Sequence, residues 1–292
     1  RLIAMVRLAV VLLAVAGATS VLPARSGPAG TPDQADVVFF EGFDAAPLDR
    51  SAWNVITDFH VNNEQQAYID SPDTIAIVTG DEARGADGGA LRLRALYRPG
   101  ETRQLNRTFD FVSGRIDTRD KVTFTYGTAA ARIRLTAGEG LWPAFWALGA
   151  DRWPDTGEID IMENVGDPSW VNAALHGPGY SGDTPLVRRR PFPPGEDATG
   201  WHVYAVRWTP DLLEFSVDDD VYYRVTKAMV EEHGRWAFDN PKHLILNLAI
   251  GGAYPQAVNG VERPYPGLPA ETVDLIERGE ATMLVDWVRI TR

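Results

Sequence analysis

Gly157-Glu158-Ile159-Asp160-Ile161-Met162-Glu163-Asn164-Val165-Gly166 sets three carboxylates into a six-residue window whose other members are strand-forming apolar side chains. Acids interleaved with isoleucine read as a half-buried β-strand. Residues two apart on a strand share a face, so Glu158 and Asp160 point together. Strict alternation sends Glu163 to the opposite face. One extra residue inserted as a β-bulge restores it, and bulges concentrate beside active sites. The bare string Glu-x-Asp-x-x-Glu more often marks a solvated edge strand, so its meaning depends on what surrounds it.

Upstream lies Gly140-Leu141-Trp142-Pro143-Ala144-Phe145-Trp146-Ala147-Leu148-Gly149, then Trp153-Pro154, then directly the acids. Two carboxylates flanking the anomeric carbon of a sugar at roughly 5 Å are what a retaining glycosidase needs, one as nucleophile and one as acid then base. A third carboxyl between two like charges resists ionising, so a shared proton keeps the acid/base protonated while the nucleophile stays ionised. The aromatic residues fit that chemistry, because a pyranose stacks its C–H face on flat rings and turns its hydroxyls to polar edges. The chain has nine tryptophans and nine tyrosines. Trp142 and Trp146, four apart on a strand, share a face; Trp142 reads equally as sugar platform or core, whereas Trp53, Trp208, Trp236 and Trp287 read as core.

Period-two alternation recurs along the chain: Leu91, Leu93 and Ala95 against Arg92 and Arg94; Ala131, Ile133 and Leu135 against Arg132 and Arg134; Leu213, Phe215 and Val217 against Glu214 and Ser216. With 27 glycines and 20 prolines punctuating short strands, the pattern predicts an all-β sandwich of two antiparallel sheets. Short peripheral helices are expected at 228–233 and 272–278. Leu244 to Ile250 is an apolar strand buried on both faces and broken by Asn247. That amide either satisfies neighbouring backbone or lies under a cleft floor and orients the acids.

The 292 residues, 45% of them hydrophobic, suffice for one sizeable core, read as a single domain over 36–292. Residues 1–22 combine Arg1 and Arg7, an apolar run from Leu8 to Ala16 and small residues after it, the parts of a cleaved signal peptide. Residues 23–35, rich in Pro, Ala, Gly and Ser, read as a disordered linker. The expected mature protein is secreted, monomeric and free of the membrane, the apolar run being short of the roughly 20 residues a span requires. A net charge of −12 with scattered basic residues argues against a nucleic-acid partner. Arg188-Arg189-Arg190 is the exception, expected as a solvated loop or else a clamp for a hydroxyl-rich or anionic ligand. The absence of cysteine excludes disulfides and thiol catalysis, and no histidine pair has zinc-ligand spacing. No cofactor is required for the chemistry.

The run EGLWPAFWALGADRWPDTGEIDIMENVG (139–166) resembles the active-site segment of glycoside hydrolase family 16, and within it the laminarinase-like endo-1,3-β-glucanases. Matching stretches are FFEGFD at Phe39 to Asp44, NNEQQAY at Asn62 to Tyr68, His176, WHVYAVRW at Trp201 to Trp208, LILNLAIGG at Leu244 to Gly252, and VDWVRI at Val285 to Ile290. The resemblance implies a curved β-jelly roll with a β-glucan cleft on its concave face. It implies Glu158 as nucleophile, Glu163 as acid/base and Asp160 as the partner that tunes the proton. By the same resemblance Trp146 and Trp153 stack on sugars, Asn63 meets a hydroxyl on the non-reducing side, and His176 meets Glu163 or a sugar on the leaving-group side. A structural calcium is implied at Glu41, Gly89 and Asp286; Asp286 reads alternatively as a partner of Arg289 or a turn cap.

The chain departs from the family pattern at Ala130 and Arg207, where acids are usual, at Asp218-Asp219-Asp220 in place of an Asp-Gly turn, and at Tyr254 in place of a tryptophan, a change expected to retune a binding subsite. The extra residue before Glu163 favours 1,3-β-glucan over mixed-linkage glucan or xyloglucan. Bulged relatives also include agarases, carrageenases and galactanases, and a transglycosylase shares the same intermediate. A non-catalytic β-glucan recognition protein would lack the glutamates.

Overall fold

The computed structural model describes residues 36–292; the expected signal at 1–22 and linker at 23–35 lie outside the described residues. Two large antiparallel sheets carry the fold. In the first, the strands run in the order Asp220–Thr226, Leu212–Val217, His202–Trp208, Gly127–Leu135, Thr282–Thr291, Ala90–Arg94 and Ile75–Val78, with Val37–Glu41 also paired to Thr282–Thr291. In the second the order is Leu186–Pro191, Trp170–His176, Glu158–Glu163, Leu141–Gly149, Lys242–Ile250, Arg115–Asp117 and Asn54–Val55, with Thr123–Phe124 on the side of Lys242–Ile250.

The core follows from the alternation. Ala129, Ala131, Ile133 and Leu135 from the first sheet, and Leu141, Phe145, Ala147, Ile159 and Leu175 from the second, are all buried in one apolar cluster. Trp53, Trp208, Phe111, Phe124, Phe215 and Phe238 fill it. Trp236 is buried as expected, but Trp287 is half-buried and carries the Arg289 guanidinium 5.1 Å from its ring centre.

Three features depart from the sequence reading. A third small sheet is formed by Leu96–Gln104, Arg107–Ser113 and Gln66–Tyr68, and its last pair is parallel. A helix at Ala253–Asn259 joins the two expected ones, which fall at Lys227–Glu231 and Ala270–Glu277. It begins after Gly252, whose φ of 96° and 2.7 Å approach of a hypothetical Cβ to Asn62 O admit only glycine. The Arg188-Arg189-Arg190 triplet is not a loop but part of the edge strand Leu186–Pro191 of the second sheet.

Cross-strand register places one row of residues across the second sheet: Arg189 faces Asn172, Asn172 faces Glu163, Glu163 faces Ala144, Ala144 faces Asn247, and Asn247 faces Arg115. Directly opposed residues share a face, so this row crosses the sheet on the side away from the core.

Candidate active site

The strand Glu158–Glu163 carries the bulge that the phase of its acids requires. Against Leu141–Gly149, Trp146 pairs with Asp160 but Phe145 pairs with Met162, so Ile161 is the extra residue. The same slip appears against Trp170–His176, where Asp160 faces Ala174 and Glu163 faces Asn172. Ile161 and Met162 both enter the core cluster. Burying these two side chains holds the bulge, and as a result Glu158, Asp160 and Glu163 line one cleft together with Trp142, Trp146, Arg115 and Asn247.

Each acid has its own set of donors. Trp153 Nε1 donates to Glu158 Oε2 at 2.7 Å, Trp142 Nε1 to Glu163 Oε1 at 3.0 Å, and Asn172 Nδ2 to Glu163 Oε2 at 3.2 Å. Asp160 is 3% exposed, and its Oδ2 has no hydrogen-bond partner. His176 Nε2 stands 3.3 Å from that oxygen and 3.9 Å from Glu158 Oε1. The Gly182 amide donates to His176 Nδ1 at 3.2 Å, so in the neutral ring the proton is on Nε2 and faces the acids.

Burial raises the pKa of all three carboxyls. The Asp160 charge adds to the effect on Glu158, and the Glu163 charge adds to that on Asp160; these two sites are pushed well above the usual carboxylate range. Glu163 is raised less, because the Trp142 and Asn172 donors and the nearby His176 favour its anion. Like charges so close titrate as a set, and protons are retained among them. The interaction between the two neighbouring carboxyls adds to the rise of Glu158 and partly offsets that of Asp160.

The wall beyond Trp146 is built from a buried network. Trp146 Nε1 donates to Asn247 Oδ1 at 2.7 Å, and Asn247 Nδ2 contacts the Tyr68 hydroxyl at 3.1 Å. Asn247 thus lies in the cleft floor but holds Trp146, not the acids. Glu64, 5% exposed, accepts from Gln66 Nε2 at 2.8 Å, and burial raises its pKa. Arg115 lays its guanidinium 4.1 Å from the Phe59 ring centre and 5.1 Å from that of Trp146.

The residues singled out from sequence are brought together unevenly. Trp142 and Trp146 line the cleft, and Trp153, 43% exposed, stands at its rim with its ring 6.1 Å from His176. Tyr254, on the Ala253–Asn259 helix, packs edge-on against Trp142 at 5.3 Å and donates its hydroxyl to Asn172 Oδ1 at 3.0 Å. Asn63 is exposed at positive φ, while its neighbours Asn62 and Glu64 line the cleft. Asn172 and Arg115 carried no signal in the sequence, and Arg189 stood out only as part of the arginine triplet, since each matters through a partner on another strand. His60, His202 and His243 sit in packing or hydrogen-bonding roles away from the acids.

Far from the cleft, Glu41 Oε1 accepts from the Phe43 amide at 2.9 Å, and Gly89 packs so closely on this turn that a Cβ would stand 2.3 Å from Phe43 O. Asp286 is paired not with Arg289 but with Arg132, and its Oδ1 accepts from the Asp87 amide at 2.9 Å. A carboxylate offers about four lone-pair sites, so Asp286 retains acceptor capacity. Carboxylate and carbonyl oxygens are the donor type calcium takes, but here Glu41 also accepts from the Trp53 indole and Asp286 is engaged by Arg132. The role of calcium there would be to tie the turn to the sheet.

The Glycosyl hydrolases family 16 description matches residues 59–263. A beta-glucanase of Rhodothermus marinus is 35% identical over 216 residues, 70% of this chain and 68% of that protein. The glucan endo-1,3-beta-glucosidase A1 of Niallia circulans is 30% identical over 87% of this chain, which spans 37% of that longer protein. Among solved structures, the laminarinase catalytic domain of Thermotoga maritima MSB8 superposes with a TM-score of 0.72 at 30% identity, covering 88% of this chain and 98% of that one. The endo-beta-1,3-glucanase of Pyrococcus furiosus gives 0.73 at 33% identity, covering 87% and 93%. With the family match spanning most of the jelly roll and the bulged acids at its centre, the chain belongs to glycosyl hydrolases family 16.

Proposed function

We propose that the chain is a secreted, retaining endo-β-glucanase that hydrolyses internal 1,3-β-glucosidic bonds of laminarin-like glucans. The observation that carries this reading is the Ile161-Met162 bulge, which turns Glu163 onto the face of Glu158. In the first step Glu158 attacks the anomeric carbon while Glu163 gives its proton to the departing glycosidic oxygen; the C–O bond breaks and a glycosyl ester forms. Glu158 is then no longer an anion. That loss of a neighbouring charge makes Glu163 easier to ionise, so the same group next takes a proton from water as the water attacks the sugar and releases the ester. Asp160 tunes the proton between them, and Trp146 and Trp153 hold sugar rings.

The 1,3 linkage is supported by the names of the relatives above and by the bulge. Glu158→Gln is expected to abolish the glycosyl-enzyme, whereas Glu163→Gln keeps activity on aryl glucosides with good leaving groups. An unimpaired Glu158→Gln enzyme on laminarin removes the assignment. An NMR time course is expected to give the β-anomer first, and products compared across laminarin, lichenan and agarose report linkage. Export is tested by tracking the full chain across the membrane of an expressing cell.

A further inference from the structure

We infer that Tyr254 and Asn172 form a directional hydrogen-bond relay onto Glu163, which makes both of them positioning residues for the proton that Glu163 transfers. The inference rests on Glu163 being the acid/base. Asn172 is 1% exposed, sits directly across from Glu163 on the neighbouring strand, and spends its amide on two partners: Oδ1 accepts from the Tyr254 hydroxyl at 3.0 Å and Nδ2 donates to Glu163 Oε2 at 3.2 Å. An amide has a donor end and an acceptor end. Whichever group claims one end decides what the other presents to Glu163.

The sense of the relay follows from the Asn172 amide itself. Its Oδ1 can only accept, so the Tyr254 phenol gives its proton there, and the Asn172 NH₂ is left to donate to Glu163. Arg189 lies across from Asn172 on the edge strand, with its guanidinium 3.5 Å from the Trp170 ring centre. A donor at Glu163 Oε2 favours the anion. Together with the Trp142 N–H on Oε1, it fixes the plane of the carboxyl and offsets part of the burial that would otherwise hold the proton too firmly.

The charged and titratable groups around Glu163 are Glu158 and Asp160 on its own strand, His176 on the next, Arg189 beyond it, Tyr254 on the helix, and Arg115 across the cleft. Tyr254→Phe leaves all of these charges in place and removes only the hydroxyl. The freed amide can then turn Oδ1 toward Glu163, an acceptor that favours the protonated acid. Tyr254→Trp keeps an aromatic platform and likewise lacks the hydroxyl at that place.

The test is the pH profile of kcat/KM on laminarin for Tyr254→Phe, Tyr254→Trp and Asn172→Ala. Loss of one donor is expected to move the alkaline limb to higher pH by about half to one unit, as one hydrogen bond to a charged group implies. KM for Tyr254→Phe is expected to stay within about twofold, since its ring still packs on Trp142. An alkaline limb that stays put in Tyr254→Phe and Tyr254→Trp while KM rises overturns the relay and leaves Tyr254 as a sugar platform. Tyr254→Phe remains informative if Asn172→Ala fails to fold. Glu163→Gln on laminarin and on aryl glucosides is measured in parallel: equal activity on both removes Glu163 as acid/base and the relay with it, whereas the expected split with unmoved limbs overturns the relay alone.

Discussion

The indole N–H of Trp153 donates to Glu158 Oε2 at 2.7 Å although the residue is 43% exposed. A side chain at the cleft rim therefore does two things at once, offering a ring to a sugar and a proton donor to the proposed nucleophile. Trp153→Phe keeps the ring and removes the donor. Without it the Glu158 anion is less favoured, so the acidic limb of kcat/KM is expected to move to higher pH. Trp153→Ala removes both and is expected to raise KM several-fold on long glucans in addition, with the melting temperature nearly unchanged because the ring supports few core contacts. A large loss of thermal stability with unchanged KM would contradict this assignment.

Asp160 is buried beside Glu158 with one oxygen lacking a hydrogen bond, and its pKa is pushed well up by burial and by Glu163. Asp160→Asn removes a carboxyl that repels the Glu163 anion. Ionising Glu163 becomes easier, and the alkaline limb of kcat/KM is expected to fall to lower pH, opposite in sign to the Tyr254→Phe effect. If the rate drops at every pH with both limbs fixed, Asp160 orients its neighbours by hydrogen bonding and the electrostatic account fails.

Lys242 is fully buried, and its ammonium reaches Thr156 O at 2.6 Å, Asn240 Oδ1 at 3.0 Å and Ala237 O at 3.2 Å, tying the loop that follows Trp153 to the loop before its own strand. Lys242→Met leaves buried acceptors without donors and is expected to destabilise the fold by about 1–3 kcal/mol, read from denaturant unfolding. Burial lowers the Lys242 pKa to about 7 from 10.5. Between about pH 7 and pH 9 the unfolded chain therefore binds this proton more than the folded one, so wild-type stability is expected to rise with pH across that window. That rise should vanish in Lys242→Met.

If calcium occupies the turn built from Glu41, Gly89 and Asp286, chelation is expected to lower the melting temperature and calcium to restore it, while kcat/KM at a temperature well below unfolding stays the same. Glu41→Ala should abolish the response to chelator. A calcium-independent melting curve for the wild-type protein would argue that Arg132 alone balances Asp286.

Much of the site was legible in the chain itself because strand geometry is local. Glu158 and Asp160 share a face by period two, and the misfit of Glu163 forces a bulge whose apolar residues, Ile161 and Met162, can only point inward. Trp142 and Trp146 follow from the same period. What the chain did not reveal depends on which strand lies beside which, and on register. Asn172 looks unremarkable in sequence and Arg189 read as part of a loop or clamp, yet both fall in line with Glu163 across three strands. The pairing of Asp286 with Arg132 spans 154 residues, and the charge pattern near Asp286 pointed instead to Arg289. Tyr254 reached Asn172 through a short helix whose start is set by Gly252 packing on Asn62 O, a contact with no local signature. Local phase therefore determined which acids meet, and tertiary packing alone decided which donors hold them, because a hydrogen bond between strands is set by neighbours that sequence distance does not encode.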